Sequence, residues 1–391
     1  MTLAVLPLAF TQLRLRAFDW FMVAHVAWSF LAFMTTFPIG DGIEKGGTYT
    51  IEVLTTYFLM RLYVRTLEDV VGIVRLMFVL VLVATALAVP EAVTGERFIH
   101  DFASSITGHT YRFRDELRLG LMRAASFFEH PILFGMFCAA LLSPVWFLTR
   151  GMSRLFGVGV IAAGTFLSLS SAPLLVFAAQ VGFIAVERTT RWVKGRVTLI
   201  ALGLIGVVVF LETFSGRGAI GWLTRLMLNP DTAWYRRAQI EHTMDDIALH
   251  PLFGIGDREY TRPEWLTPSI DNHFIVIAIR TGIPALVFFL AAIFLVWRAL
   301  AKTDADRMPP LFGHLRKGWG LMIVALLLGG ATVAYFGRML PLMAFYIGMG
   351  GAIAAAGAAL AREAQPGAAR PAPGRPPRDG ARPASPPIAV A

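Results

Sequence analysis

The sequence predicts an all-α polytopic membrane protein of about ten transmembrane helices, and three observations carry that prediction. The 391-residue chain is 56% hydrophobic and only 16% charged, with a mean hydropathy of +0.62. Its apolar runs are too long and too frequent for the single core of a soluble domain. Its short basic segments fall where alternate runs meet, as in a chain that threads a membrane back and forth.

Crossing about 30 Å of hydrocarbon takes roughly 17 to 25 helical residues. Runs of that kind lie at 18–37, 49–64, 69–89, 131–149, 155–170, 172–186, 196–212, 272–297, 319–336 and 339–361. The opening MTLAVLPLAF is apolar but too short to span, and no small-residue cleavage site follows, so it reads as an interfacial N-terminus and not a signal peptide. The connections at 61–68, 149–154, 187–196 and 298–318 are basic and, with ten helices, share a side with Arg14, Arg16 and the C-terminal tail. The positive-inside rule then places both termini in the cytoplasm. The net charge of +9 is therefore mostly an orientation signal, and its distribution argues against a nucleic-acid partner. Residues 362–391, rich in Pro, Ala, Gly and Arg, bury too little surface to offset their ordering entropy and are expected as a disordered cytoplasmic tail after a transmembrane unit of 1–361.

Two long polar connections face the other side, at 90–130 and, between the seventh and eighth runs, at 213–271. They hold eleven arginines and no lysine: Arg97, Arg112, Arg114, Arg118, Arg123, Arg217, Arg225, Arg236, Arg237, Arg258 and Arg262. A guanidinium binds phosphate through two parallel hydrogen bonds and stays charged at any relevant pH, so a diphosphate ligand accounts for the bias. Solvated pairs with neighbouring Asp and Glu residues are the plainer alternative. Within the second connection a helix is expected from Thr232, capped by Asp231, with Trp234, Ile240, Met244 and Ile247 near one apolar stripe and His250, Pro251 and the glycines ending it. Neither connection shows HxxH or DxD spacing, and the single Cys138 lies in an apolar run, so no metal site, disulfide or other cofactor is expected.

The stretch IDNHFIVIAIRTGIP at 270–284 places Arg280 inside an apolar run, seven residues after His273. Seven residues are two helical turns, so the two side chains share a face. A helix over 271–297 would be about 40 Å long, more than the hydrocarbon thickness, and Pro284 removes a hydrogen bond to the Arg280 carbonyl. A kink near Gly282 is predicted, with the first turns standing at the membrane surface. Elsewhere only His25, Glu52 and Arg75 lie clearly within runs, which is sparse for an ion-coupled carrier.

Three stretches, RAASFFEHPILFG at 123–135, WYRRAQIEHTMDDIALHPLFGIG at 234–256 and IDNHFIVIAIRTGIP, resemble the O-antigen ligase and O-antigen polymerase group of bacterial membrane glycosyltransferases. The likeness extends over roughly residues 50 to 350. SLSSAPLL at 168–175 matches the group's small-residue stretch between two helices but has Ala172 and Pro173 where an arginine is common, which weakens a phosphate contact at that turn. The resemblance implies an inner-membrane enzyme that takes a glycan from undecaprenyl diphosphate on the periplasmic face and passes it to a growing chain or a lipid acceptor, in O-antigen, exopolysaccharide or capsule assembly. It implies as partners a polyprenyl-diphosphate-linked oligosaccharide, a glycan or lipid acceptor, the lipid bilayer and other polysaccharide assembly proteins. Carried onto this chain, the diphosphate role falls to Arg123, to Arg236 or Arg237, and to Arg280, and the base role falls to His273. His130 and His250 rival that histidine, and Arg217 and Asn272 complete the substrate-binding candidates. A transporter or flippase for the same lipid, depending on Glu52 and Arg75, and a non-catalytic export subunit are the alternatives.

Overall fold

Each apolar run that lies within the described residues is helical over most of its length, the one expected at 319–336 ending as a helix at Gly330, as a backbone in hydrocarbon must satisfy its own hydrogen bonds. The computed structural model describes residues 2–108, 117–190, 192–193, 210, 213, 231–303 and 308–363. In chain order the helices are α1 (Thr2–Gln12), α2 (Ala17–Thr36), α3 (Ile39–Tyr63), α4 (Leu67–Thr94), α5 (Phe98–Thr107), α6 (Pro131–Ala140), α7 (Leu142–Leu148), α8 (Gly151–Leu167) and α9 (Ser171–Thr189). After them come α10 (Asp231–Leu249), α11 (His273–Thr281), α12 (Ile283–Lys302), α13 (Pro310–Gly330) and α14 (Met339–Glu363). Between α5 and α6 a two-residue hairpin pairs β1 (Leu117–Arg118) antiparallel with β2 (Leu121–Met122).

Among the described residues, seven helical segments are long and apolar enough to cross a membrane: α2, α4, α6 and α7 taken together, α9, α12, α13 and α14. The chain is an all-α polytopic membrane protein. The shorter α8 is also apolar, and the 25-residue α3 carries Asp41, Glu44 and Lys45 in its first two turns and Glu52 near its middle. Apart from residue 210, the run expected at 196–212 lies outside the described residues, as does the tail beyond 363. The N-terminal stretch expected at the interface forms α1, which packs on α3 with the Phe10 and Phe58 rings 6.0 Å apart.

The core is built by close approach of small residues as much as by large side chains. In α14, a Cβ on Gly348 would lie 2.5 Å from the Tyr57 carbonyl, and one on Gly350 would lie 2.2 Å from the Trp319 ring. Tyr57, Trp319, Tyr346, Phe134 and Phe312 are fully buried around them.

One expected orientation signal has a different role. Arg61 is not a loop residue but lies buried inside α3, where its Nε and a terminal nitrogen donate to Asp19 at 2.8 and 3.1 Å. Tyr57 donates to the same carboxylate at 2.7 Å, and Arg61 also reaches the Gly351 carbonyl at 3.2 Å. A buried carboxylate is costly unless paired and hydrogen-bonded, and Arg61, Tyr57 and the Arg16 backbone N–H, at 2.8 Å, supply that here. Others of the expected orientation residues gather at this end of the bundle. Arg16 donates to the Ala354 carbonyl at 3.4 Å, Arg316 to the Leu300 carbonyl at 3.4 Å, and Lys317 to Glu187 at 2.6 Å.

Candidate functional site

At the opposite end, the stretch 270–284 folds as a short helix, a break and a long helix. Asn272 caps α11: its side-chain oxygen accepts the Phe274 and Ile275 N–H groups at 3.0 and 3.2 Å, and its amide donates to the Ala331 carbonyl at 3.2 Å. The helix stops at Gly282, whose φ of +88° suits glycine, and Pro284 opens α12 in the first turn, where no N–H is needed. The predicted kink is thus a complete break, and the single helix expected to 297 becomes two. The reason lies in the HPLFGIG turn after α10. Ile255 and Gly256 donate to the carbonyls of Ile279 and Arg280 at 2.7 and 3.2 Å, and Ile283 donates to the Pro251 carbonyl at 2.8 Å. The turn takes over carbonyls that an unbroken helix would have satisfied itself.

The face of α11 lines a cavity of about 620 Å³. Its walls come from His273, Ile277, Arg280 and Thr281 of α11, Tyr49 and Glu52 of α3, His130 before α6, Asp271, and the segment 333–337 between α13 and α14. His273 is 3% exposed, and neither ring nitrogen has a hydrogen-bond partner among the described residues. Its ring lies 4.7 Å from that of Tyr335. Buried polar atoms are nearly always satisfied, so an imidazole left open toward a cavity marks a place where chemistry or ligand binding outweighs stability.

Guanidinium groups stand at the rim. Arg280 is about half exposed and pairs through one terminal nitrogen with Asp257 at 3.3 Å, and Lys45 of α3 pairs with the same carboxylate. Arg236 lies 3.5 Å from Asp271, whereas Arg237 is turned to the outside and pairs with Glu241 four residues on at 2.7 Å. Adjacent helical residues point about 100° apart, and here that separation assigns the cavity side to Arg236. The expected α10 stripe is shifted: Met244 is exposed, and the buried face holds Gln239, Thr243, Asp246 and Ile247. The polar members hold down the following loop, Gln239 donating to the Ser269 carbonyl at 2.7 Å and Asp246 accepting the Thr261 N–H at 2.6 Å.

Several candidates stand elsewhere. Arg123 donates to Ser170 at 2.9 Å, beside the start of α9, and does not line the cavity. This contact joins two of the stretches singled out in the sequence, RAASFFEHPILFG and SLSSAPLL, with Arg118 reaching the Leu169 carbonyl nearby at 3.0 Å. Asn272 is engaged as a cap, His250 is exposed beyond α10, and Arg217 lies outside the described residues. His130 lines the cavity, but its Nδ1 accepts the Ile132 N–H at 3.1 Å. A neutral imidazole has one lone pair, so in this arrangement its Nε2 can only donate. Tyr49, Asp257, Asp271 and Tyr335 were not picked out from sequence. Only Tyr49 had a local signal, since Lys45, Tyr49 and Glu52 recur at the four- and three-residue spacing of one helical face.

A bundle that crosses the membrane repeatedly and holds an unpartnered imidazole beside guanidinium groups defines a class: a polytopic membrane protein with an enzyme-like pocket at one end. The O-antigen ligase family model matches residues 156–290, so this part of the chain is similar to the O-antigen ligase family. The matched segment includes α10, the HPLFGIG turn, α11 and the break, while Tyr49, Glu52, His130 and Tyr335 lie outside it. A comparison with curated proteins gives no match.

Proposed function

We propose that this protein is a glycosyltransferase that transfers or polymerises an undecaprenyl-diphosphate-linked glycan, with the cavity facing the periplasm. The observation that carries the proposal is His273, whose two ring nitrogens are unpartnered in a cavity that Arg280 also lines. In the reaction, the acceptor hydroxyl oxygen attacks the anomeric carbon of the donor. The bond from that carbon to the diphosphate oxygen breaks, its electron pair leaves with the lipid diphosphate, and the hydroxyl proton passes to His273. Burial lowers the pKa of the His273 imidazole, so the ring rests neutral with a lone pair open to that proton. Arg280 and Arg236 meet the charge that develops on the leaving group, a role guanidinium forks fill without a metal ion. The ion pair to Asp257 engages one terminal nitrogen of Arg280 and leaves the other to a phosphate oxygen.

The protein sits in the bacterial inner membrane with both termini and the basic end of the bundle in the cytoplasm, and it makes O-antigen, exopolysaccharide or capsule. A lipid carrier that depends on Glu52 and Arg75 draws support from Glu52, which lines the cavity, but not from Arg75, which is exposed on α4 and does not line it. Full-length protein in liposomes, supplied with a polyprenyl diphosphate oligosaccharide and a saccharide acceptor, provides the test. His273→Ala lowers the transfer rate by about 10²- to 10⁴-fold with the thermal unfolding transition retained, and His130→Ala keeps most of the activity. Transfer by His273→Ala at the wild-type rate would remove the base from this position.

A further inference from the structure

The wall of the cavity opposite α11 is made by α3. Lys45, Tyr49 and Glu52 occupy one face of that helix, with Glu52 about 10 Å further along it than Lys45. Lys45 joins the rim through Asp257, the carboxylate that also holds Arg280. Tyr49 and Glu52 line the cavity itself. The Tyr49 hydroxyl lies 2.7 Å from Nε2 of His25, whose Nδ1 lies 2.8 Å from the Ala285 carbonyl. A carbonyl only accepts, so Nδ1 carries the proton, Nε2 accepts, and Tyr49 is the donor. The phenol oxygen thereby remains an acceptor, with Ser29 also within hydrogen-bonding reach of it. The Glu52 carboxylate is half-buried and has neither an ion pair nor a hydrogen bond to any described residue.

This part of the cavity therefore offers hydrogen-bond acceptors and calls for a ligand rich in donors. A phosphate is excluded by charge repulsion with Glu52. A cationic ligand would have to pass Lys45, Arg236 and Arg280. A neutral polyol meets both conditions. Resting on the glycosyl-transfer reading, we propose that Glu52, with Tyr49 one turn before it, is a positioning residue that binds hydroxyl groups of a neutral acceptor sugar, while the arginine rim holds the diphosphate. Segregating the charges in this way sets the neutral nucleophile beside His273 and keeps the anionic leaving group at the rim.

The test uses the full chain in lipid nanodiscs and two kinds of probe. Methyl glycosides of glucose, galactose and N-acetylglucosamine are followed by saturation-transfer NMR, and inorganic diphosphate is followed by phosphorus line broadening. At least one glycoside gives a signal with the wild type, and Glu52→Leu weakens that binding by about tenfold or more, as expected for loss of a charge-assisted hydrogen bond. Glu52→Gln, which keeps an acceptor oxygen, falls between the two. Diphosphate binding is unchanged in Glu52→Leu and weakened in Arg280→Gln. A wild type that binds none of the glycosides, undiminished glycoside binding by Glu52→Leu, or joint loss of both probes in that variant would each overturn the proposal. A wild type that ignores diphosphate would instead overturn the reading of the arginine rim, leaving Glu52 to be judged by the glycosides.

Discussion

At the scale of single residues, one step of helix rotation separates the two adjacent arginines of α10. Arg236 turns toward Asp271 at the cavity, and Arg237 turns to the exposed Glu241. Sequence could name the pair but not choose between them, since the choice depends on which face of α10 lies against the loop it covers. Arg236→Ala is expected to slow glycan transfer by about tenfold or more, the scale of one charge-assisted contact, whereas Arg237→Ala leaves the rate near that of the wild type. Steady-state transfer assays on the two variants decide it, and equal losses would mean that the rotation assigned to α10 is wrong. His273 and Arg280 were legible because both lie on one short helix, where seven residues bring side chains to the same face. Asp257 and Asp271 were not legible as partners. Nothing in the local pattern of an acidic residue says which guanidinium it will meet.

At the scale of elements, the break at Gly282 positions the site. Pro284 announced an interruption, but its extent came from the turn at 251–256, which is remote from it in sequence. A Cβ on residue 282 would lie 1.9 Å from the Leu252 carbonyl oxygen, at a φ that L side chains rarely adopt. Gly282→Ala is expected to destabilise the protein by about 1–3 kcal/mol or more and to displace Arg280. Gly47→Ala on α3, where an added Cβ meets nothing within 4 Å, is the matched control and is expected to hold or raise stability. Thermal unfolding of both variants in nanodiscs measures the difference, and a Gly282→Ala transition no lower than that of Gly47→Ala would contradict the packing described for this break.

At the scale of the whole molecule, Asp19 and Arg61 tie α2, α3 and the carbonyl of Gly351 in α14 together at the end away from the cavity. Removing one partner strands the other, so Asp19→Ala is expected to cost about 3–5 kcal/mol, while replacing both by apolar residues of similar volume restores much of the loss. Folded yield and unfolding temperature of the single and double variants test this, and a double variant no better than the single would deny that the pair acts as a unit. That pair was hidden in sequence because Arg61 reads equally well as a loop charge of the positive-inside kind. The membrane class, most of the spanning helices, the surface helix α10 and the His273–Arg280 face followed from sequence alone. Each of these depends on local hydrophobic periodicity and on the rule that a backbone in lipid bonds to itself. The cavity, its α3 wall, the distinction between Arg236 and Arg237 and the separation of Arg123 from His273 were decided only by tertiary structure. These depend on which helix ends meet, and contacts between residues far apart in the chain leave no mark on the spacing of either one.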